Sequence, residues 1–218
     1  MSEPFSGVSG AEPASLQRLR ALLRDEGGLM ASLVGSVIQI KRPDSHGDTP
    51  PAKYRSDPES DSHGDTEATI PAASDPGPAQ LAASGPRAEG RREDYELLIE
   101  TIYEGYLLHY GTPRVALTQD GDLALLAGDR LYALGLARLV AIGDIEAVAE
   151  LGDTITLSAL AQGAGEPELA EAVWAAGARA VGWGSSDAHG RAKELARTGA
   201  TEAIEAMRTS AAGLSASP

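Results

Sequence analysis

Apolar residues return at helical spacing in two separate stretches of this chain. Between Ser15 and Ile40, Leu16, Leu19, Leu22 and Leu23, then Met30, Leu33, Val34 and Val37, mark one stripe. Gly27-Gly28 divides it, which predicts two short helices with Ser15 as the N-cap of the first. From Glu93 to about Met207 the same period runs on, punctuated by Pro113, Gly143, Pro167 and "GWGSSD" (Gly182 to Asp187). Helices are predicted near 93–109, 120–142, 144–162, 166–182 and 187–208, with Asp187 as a candidate N-cap of the last. No stretch alternates apolar and polar positions with period two, so strands are not expected. The expected class is all-α.

The segment between the two stripes reads differently. Pro43 to Gly90 holds 8 of the 13 prolines, and its large apolar residues are Tyr54, Ile70 and Leu81 alone. A segment this poor in apolar surface does not offset its chain entropy, which predicts a disordered Pro/Ser/Gly-rich acidic linker. The domain plan is therefore a helical segment over 1–42, a linker over 43–92, a helical bundle over 93–208 and a disordered tail over 209–218. Within the linker "DSHGDT" occurs twice, at Asp44–Thr49 and Asp61–Thr66. Asp and His are both metal ligands, but a duplicated low-complexity segment explains the repeat without selected chemistry.

Charge and composition narrow the function classes. The chain carries 32 Asp and Glu against 18 Lys and Arg, a formal net charge of -14. It repels phosphate backbones and has no Lys/Arg-rich run, so nucleic acid is not an expected partner. It contains no Cys, which removes disulfide scaffolds and thiolate chemistry and agrees with a reducing, cytoplasmic location. "LMASLVGSVIQI" (Leu29 to Ile40) falls well short of the roughly 20 residues a membrane crossing needs. Asp25 and Glu26 before it, and no A-x-A site after it, also argue against a signal peptide. At most a peripheral membrane contact is expected. The first stripe has two uses open to it: a membrane-surface helix, or packing against the later bundle.

The helix predicted near 120–142 poses the sharpest question. "LALLAGDRLYALGLARL" (Leu123 to Leu139) is apolar nearly all round yet carries Asp129. At about 100° per residue, Asp129 shares a face with Leu125, Tyr132, Leu136 and Val140. Such a helix belongs in the centre of a bundle or in a subunit interface, where an ionised acid is costly unless paired.

"LALLAGD" resembles the L-A-G-D segment of the trans-isoprenyl (polyprenyl) diphosphate synthase family. That family places an Arg-Gly-x-Pro-Thr stretch at a fixed interval upstream. Here "YGTPR" (Tyr110 to Arg114) sets Gly111 and Pro113 at the matching distance from Gly128 and Asp129. In the same register the first aspartate-rich motif, D-D-x-x-D, falls on "ETIYE" (Glu100 to Glu104). The resemblance implies a partial isoprenoid-synthase-like bundle over roughly residues 93–165, with Gly111, Pro113, Gly128 and Asp129 as structural motif residues. It also makes Glu100 and Glu104 candidate Mg²⁺ ligands, four residues apart on one helix face. A solvated acidic face is the alternative use of the same pair.

The departures from the pattern bear on activity. The middle acid of the motif is Thr101, the family's paired arginines are His109 and Tyr110, and no second D-D-x-x-D follows Asp129. Prenyl transfer needs carboxylates on two facing helices to hold its metal cluster. The pattern is therefore similar to the non-catalytic small subunits of heterodimeric long-chain prenyl diphosphate synthases. That similarity implies no cofactor in this chain, Mg²⁺ in a catalytic partner subunit, and an interface supplied largely by the helix of Leu123–Leu139. A non-enzymatic helical adaptor and an autonomous enzyme with Glu100 and Glu104 as ligands are the other two readings. Tyr103, Tyr106 and Leu107 are expected to pack the bundle, His109 to meet a helix C-terminus, and Trp174 and Trp183 to mark core or interface.

Overall fold

The computed structural model describes residues 12–34 and 77–213. Among them the chain is all-α, and the one extended contact is an isolated antiparallel bridge between Val34 and Ala116. Both copies of "DSHGDT" lie outside the described residues, as do 35–42 of the expected first helical segment with Val37 of its stripe, 43–76 of the expected linker and 214–218 of the expected tail.

Two N-terminal helices, α1 (Ala14–Glu26) and α2 (Gly28–Leu33), meet at Gly27 as the glycine pair predicts. Ser15 does not cap α1. It lies inside the helix, buried, because Pro13 takes the cap position. Then follow α3 (Pro78–Ser84), a 3₁₀ turn at Pro86–Ala88, α4 (Arg92–Tyr110), α5 (Gly121–Ile142), α6 (Ile145–Gly163), α7 (Pro167–Trp183), α8 (Asp187–Thr198) and α9 (Ala203–Ala211). The linker boundary expected at residue 92 is thus too late. Ala79, Ala82, Ala83 and Ala88 are buried in the core although no large apolar residue announces them. Their fit depends on two glycines: a Cβ on Gly85 would stand 2.2 Å from the Gly182 carbonyl oxygen, and one on Gly182 would stand 2.5 Å from that of Ala82. A helix of small residues reaches the backbone of its neighbour, and large side chains would hold it off.

Caps and stops fix the remaining elements. Asp120 accepts hydrogen bonds from the amides of Asp122 and Leu123 at the start of α5, and Asp144 accepts from Ala147 at the start of α6. At α8 the N-cap is Ser186, which accepts from the His189 amide at 3.2 Å, so Asp187 is the first helical residue and not the cap. The single helix expected over 187–208 is two, because Gly199 adopts the left-handed conformation (φ 64°) and its amide closes α8 on Ala196.

Two buried clusters hold the helices together. In the larger one, Ile99, Ile102, Leu139, Leu151, Leu157, Trp174 and Met207 pack around α7. In the smaller one, Leu19, Leu23, Met30 and Leu33 of the N-terminal helices close on Leu108, Val115, Ala127 and Leu131. The first stripe of the sequence is therefore used for packing against the bundle. The surrounded helix is α7 and not α5: Ala170, Ala172, Val173, Ala176, Gly177, Ala178 and Val181 are buried on nearly every side. Among the described residues no helix is long and apolar enough to cross a membrane.

Candidate functional site

The candidate metal-motif residues lie on α4 where the 111–117 loop folds back over it. Glu100 and Glu104, one turn apart on α4, both point inward and are buried. That corrects the solvated acidic face. Glu104 Oε1 accepts from the backbone amides of Arg114 (2.8 Å), Val115 (2.6 Å) and Ala116 (3.0 Å), and Oε2 faces Arg114 Nε at 3.3 Å. Glu100 Oε2 accepts from the Arg114 guanidinium at 2.5 Å, and its other oxygen accepts from the Ser15 hydroxyl at 3.3 Å. One guanidinium thus bridges both carboxylates while lying 5.2 Å from the Tyr103 ring centroid.

The loop is anchored from the other side as well. Arg20 of α1, itself paired with Glu12, donates to the Arg114 carbonyl at 3.1 Å, and the Leu117 amide donates to the Leu33 carbonyl at 2.8 Å. Gly111 closes α4 by donating to Leu107, and Pro113 stands directly before the three amides that converge on Glu104. Buried carboxylates need such partners, since an unpaired charge in this position costs several kcal/mol. These contacts do not suit a divalent cation. Glu104 has backbone donors and a guanidinium where Mg²⁺ would need open oxygens, and binding would require the loop to leave. Among the described residues no group of three or more His, Asp or Glu side chains converges as ligands.

Gly128 and Asp129 lie opposite, on α5. A Cβ on Gly128 would stand 2.2 Å from the His109 ring, and its carbonyl oxygen is 2.9 Å from where a Cβ of Gly105 would be. Gly135 repeats this contact against Ile102. Close helix approach therefore accounts for the glycine of the L-A-G-D segment. Asp129, in contrast, is not buried: its side chain is 71% exposed, with His109 Nε2 at 3.3 Å but outside hydrogen-bonding geometry. The face it shares is divided: Tyr132 and Leu136 pack half-buried against the larger cluster, while Leu125 and Val140 turn outward. Leu125, Leu126 and Val140 are about half exposed or more, with Ala133 and Ala137 between them. The acid thus sits exposed beside an apolar stripe that is uncovered among the described residues.

Behind α4 the aromatic residues do pack the bundle. Trp174 meets Tyr103 edge-on at 4.9 Å and Tyr106 at 5.2 Å, and Gln162 donates to the Tyr106 hydroxyl. Burial pushes the Tyr103 and Tyr106 hydroxyls above their ordinary range. Trp183 is half-buried at the end of α7, with the Arg179 guanidinium 3.8 Å over its ring. His109 lies in the last turn of α4, as expected for a group meeting the helix dipole.

Two features were not read from the sequence. One is Arg114 as the partner of both acids, for which the sequence offers only a lone Arg ten residues after Glu104. The second is a cluster of Glu150, His189, Lys193 and Ser210, which packing joins across three helices without any local spacing. No family model, no curated protein and no solved structure matches this chain.

Proposed function

We propose that this chain is a protein-binding helical subunit without prenyl-transfer chemistry of its own, and that it docks through the outer face of α5. The partner suggested by the "ETIYE", "YGTPR" and "LAGD" resemblance is the catalytic chain of a cytoplasmic heterodimeric polyprenyl diphosphate synthase. Mg²⁺ then belongs to that chain. The observation that carries this reading is the engagement of Glu104, at a metal-motif position, by three loop amides and Arg114. The position has kept its acid and uses it to hold a loop. The stripe of Leu125, Leu126, Ala133, Ala137 and Val140 supplies a surface of the right character for a permanent partner, which favours apolar helix faces.

A helical adaptor presenting the same face to an unrelated protein is the second reading. It is favoured by His109 and Tyr110 standing where the resembling family has its diphosphate-gripping arginines. Co-expression with a synthase that carries both aspartate-rich motifs tests the two. The leading reading expects a stoichiometric complex whose elongation of an allylic diphosphate needs both chains. A folded chain that forms no complex, with synthase activity indifferent to it, would leave only the adaptor.

A further inference from the structure

A line of polar groups crosses the far end of the bundle, between α6, α8 and α9. His189 on α8 is buried, with Nε2 2.6 Å from Glu150 Oε1 on α6 and Nδ1 2.8 Å from Ser210 Oγ on α9. Lys193 donates to the other oxygen of Glu150 at 3.0 Å and to Asp153 at 2.8 Å, and Arg197 also reaches Asp153. Burial alone would raise the Glu150 carboxyl, but hydrogen bonds from His189 and Lys193 outweigh it and hold the group below the ordinary range. An ionised carboxylate only accepts, so the Nε2 proton is fixed toward Glu150. In the neutral ring Nδ1 is then bare, and its partner must be the Ser210 hydroxyl proton.

We propose that Ser210 is a nucleophile with His189 as its base and Glu150 as the positioning residue, forming a hydrolytic site for esters of small acyl groups. Nucleophile, base and orienting acid stand at the separations such chemistry requires. The half-buried Ser210 and the His189 ring open into a cavity of about 150 Å³, which Arg179, Trp183, Gly184 and Ser186 also bound. Drug-sized ligands occupy pockets of about 300 Å³ or more, so this one suits an acyl group of a few carbons. The Arg179 guanidinium has no carboxylate partner among the described residues and is held against the Trp183 ring. It is the available cation for negative charge developing on a carbonyl oxygen.

The chemistry balances without a cofactor. Ser210 Oγ bonds to the carbonyl carbon while its proton passes to His189 Nδ1, and the carbonyl electron pair moves to the oxygen facing Arg179. Collapse breaks the carbon–oxygen bond to the alcohol, which leaves with the proton from Nδ1. Water then repeats the sequence: it gives a proton to Nδ1, bonds to the acyl carbon and releases Ser210 with its proton restored.

The site is independent of the α4–α5 reading, and its test needs no partner. The full chain is incubated with a small alkyl fluorophosphonate and with p-nitrophenyl acetate. The expected result is one adduct, mapped to Ser210 by mass spectrometry and absent in Ser210→Ala. Acetate release should fall with the same variant. Glu150→Gln should slow labelling about 10²-fold by removing the acid that orients the base. If that variant loses its helical circular dichroism, the conservative Glu150→Asp decides instead: it keeps the acid and should retain labelling at Ser210. No adduct on the folded chain, an adduct that survives Ser210→Ala, or labelling unchanged in a folded Glu150→Gln would overturn the proposal.

Discussion

Glu104→Gln separates a structural carboxylate from an empty metal site because the two give opposite signs. The side chain is fully buried and accepts from three amides and one guanidinium. Glutamine keeps one acceptor oxygen and turns the other position into a donor, set against Arg114 Nε or a loop amide. Hydrogen bonds to a charged group contribute about 1.5–3 kcal/mol net, and breaking one side of a buried pair costs about 3–5 kcal/mol. A loss of about 3 kcal/mol is expected, allowing for the oxygen that remains. At about 2–4 °C per kcal/mol for a fold of this size, Tm should fall by roughly 9 °C. Urea denaturation followed by circular dichroism gives the free energy, and hydrogen exchange locates it. The Arg114, Val115 and Ala116 amides should lose protection first. Were Glu100 and Glu104 instead a vacant pair of metal ligands, neutralising one would relieve like-charge repulsion. An unchanged or raised stability, with those three amides still protected, would refute the clamp.

Gly182→Ala should destabilise the fold by about 2–3 kcal/mol in urea denaturation, because the added methyl meets the Ala82 carbonyl and not a movable side chain. Proteolysis should then cut first in Pro78–Ser84. Asp129→Ala should change stability by less than about 0.5 kcal/mol and leave Tm nearly unchanged, since an exposed acid with no hydrogen-bonded partner among the described residues contributes little. Leu126→Arg should likewise preserve Tm but weaken any complex formed through α5, read by sedimentation velocity. Acid should weaken the fold. At Asp144 burial alone would raise the carboxyl, but Tyr95, the Ala147 amide and Arg87 outweigh it, so its folded pKa lies below the ordinary value, as those of Glu150 and Asp153 do. Their stabilisation is complete above the unfolded carboxylate values near pH ~4 and is lost as pH falls through the depressed folded ones. Thermal melts should therefore be flat near neutrality and drop below about pH 4, less steeply for Asp144→Asn.

Helix type and most boundaries were legible because they depend on local chemistry: the Gly27 break, the stop at Gly143 and the turn before α8. What depends on packing was not. Pro78–Ala88 carries almost no large apolar residue, so counting such residues assigns it to a linker, yet its alanines fill the space that Gly182 leaves on α7. The same bias made α5 look central. Its leucines are conspicuous, but a helix surrounded by others needs small side chains, and α7 has them. At the candidate site, spacing correctly put Glu100 and Glu104 on one turn of α4. It left open what they face, because Arg114 and Ser15 reach them only when the loop and α1 fold over. Asp129 was misjudged for a related reason: periodicity gives the face a residue occupies but not which face meets water.

The central claim is that the acids at the metal-motif positions serve the fold and not a metal. Isothermal titration of the isolated full chain with geranyl diphosphate, with and without Mg²⁺, tests it most directly. The account predicts no saturable Mg²⁺-dependent heat and no change on Glu100→Gln. Saturable Mg²⁺-dependent binding of the diphosphate, weakened by Glu100→Gln, would contradict it.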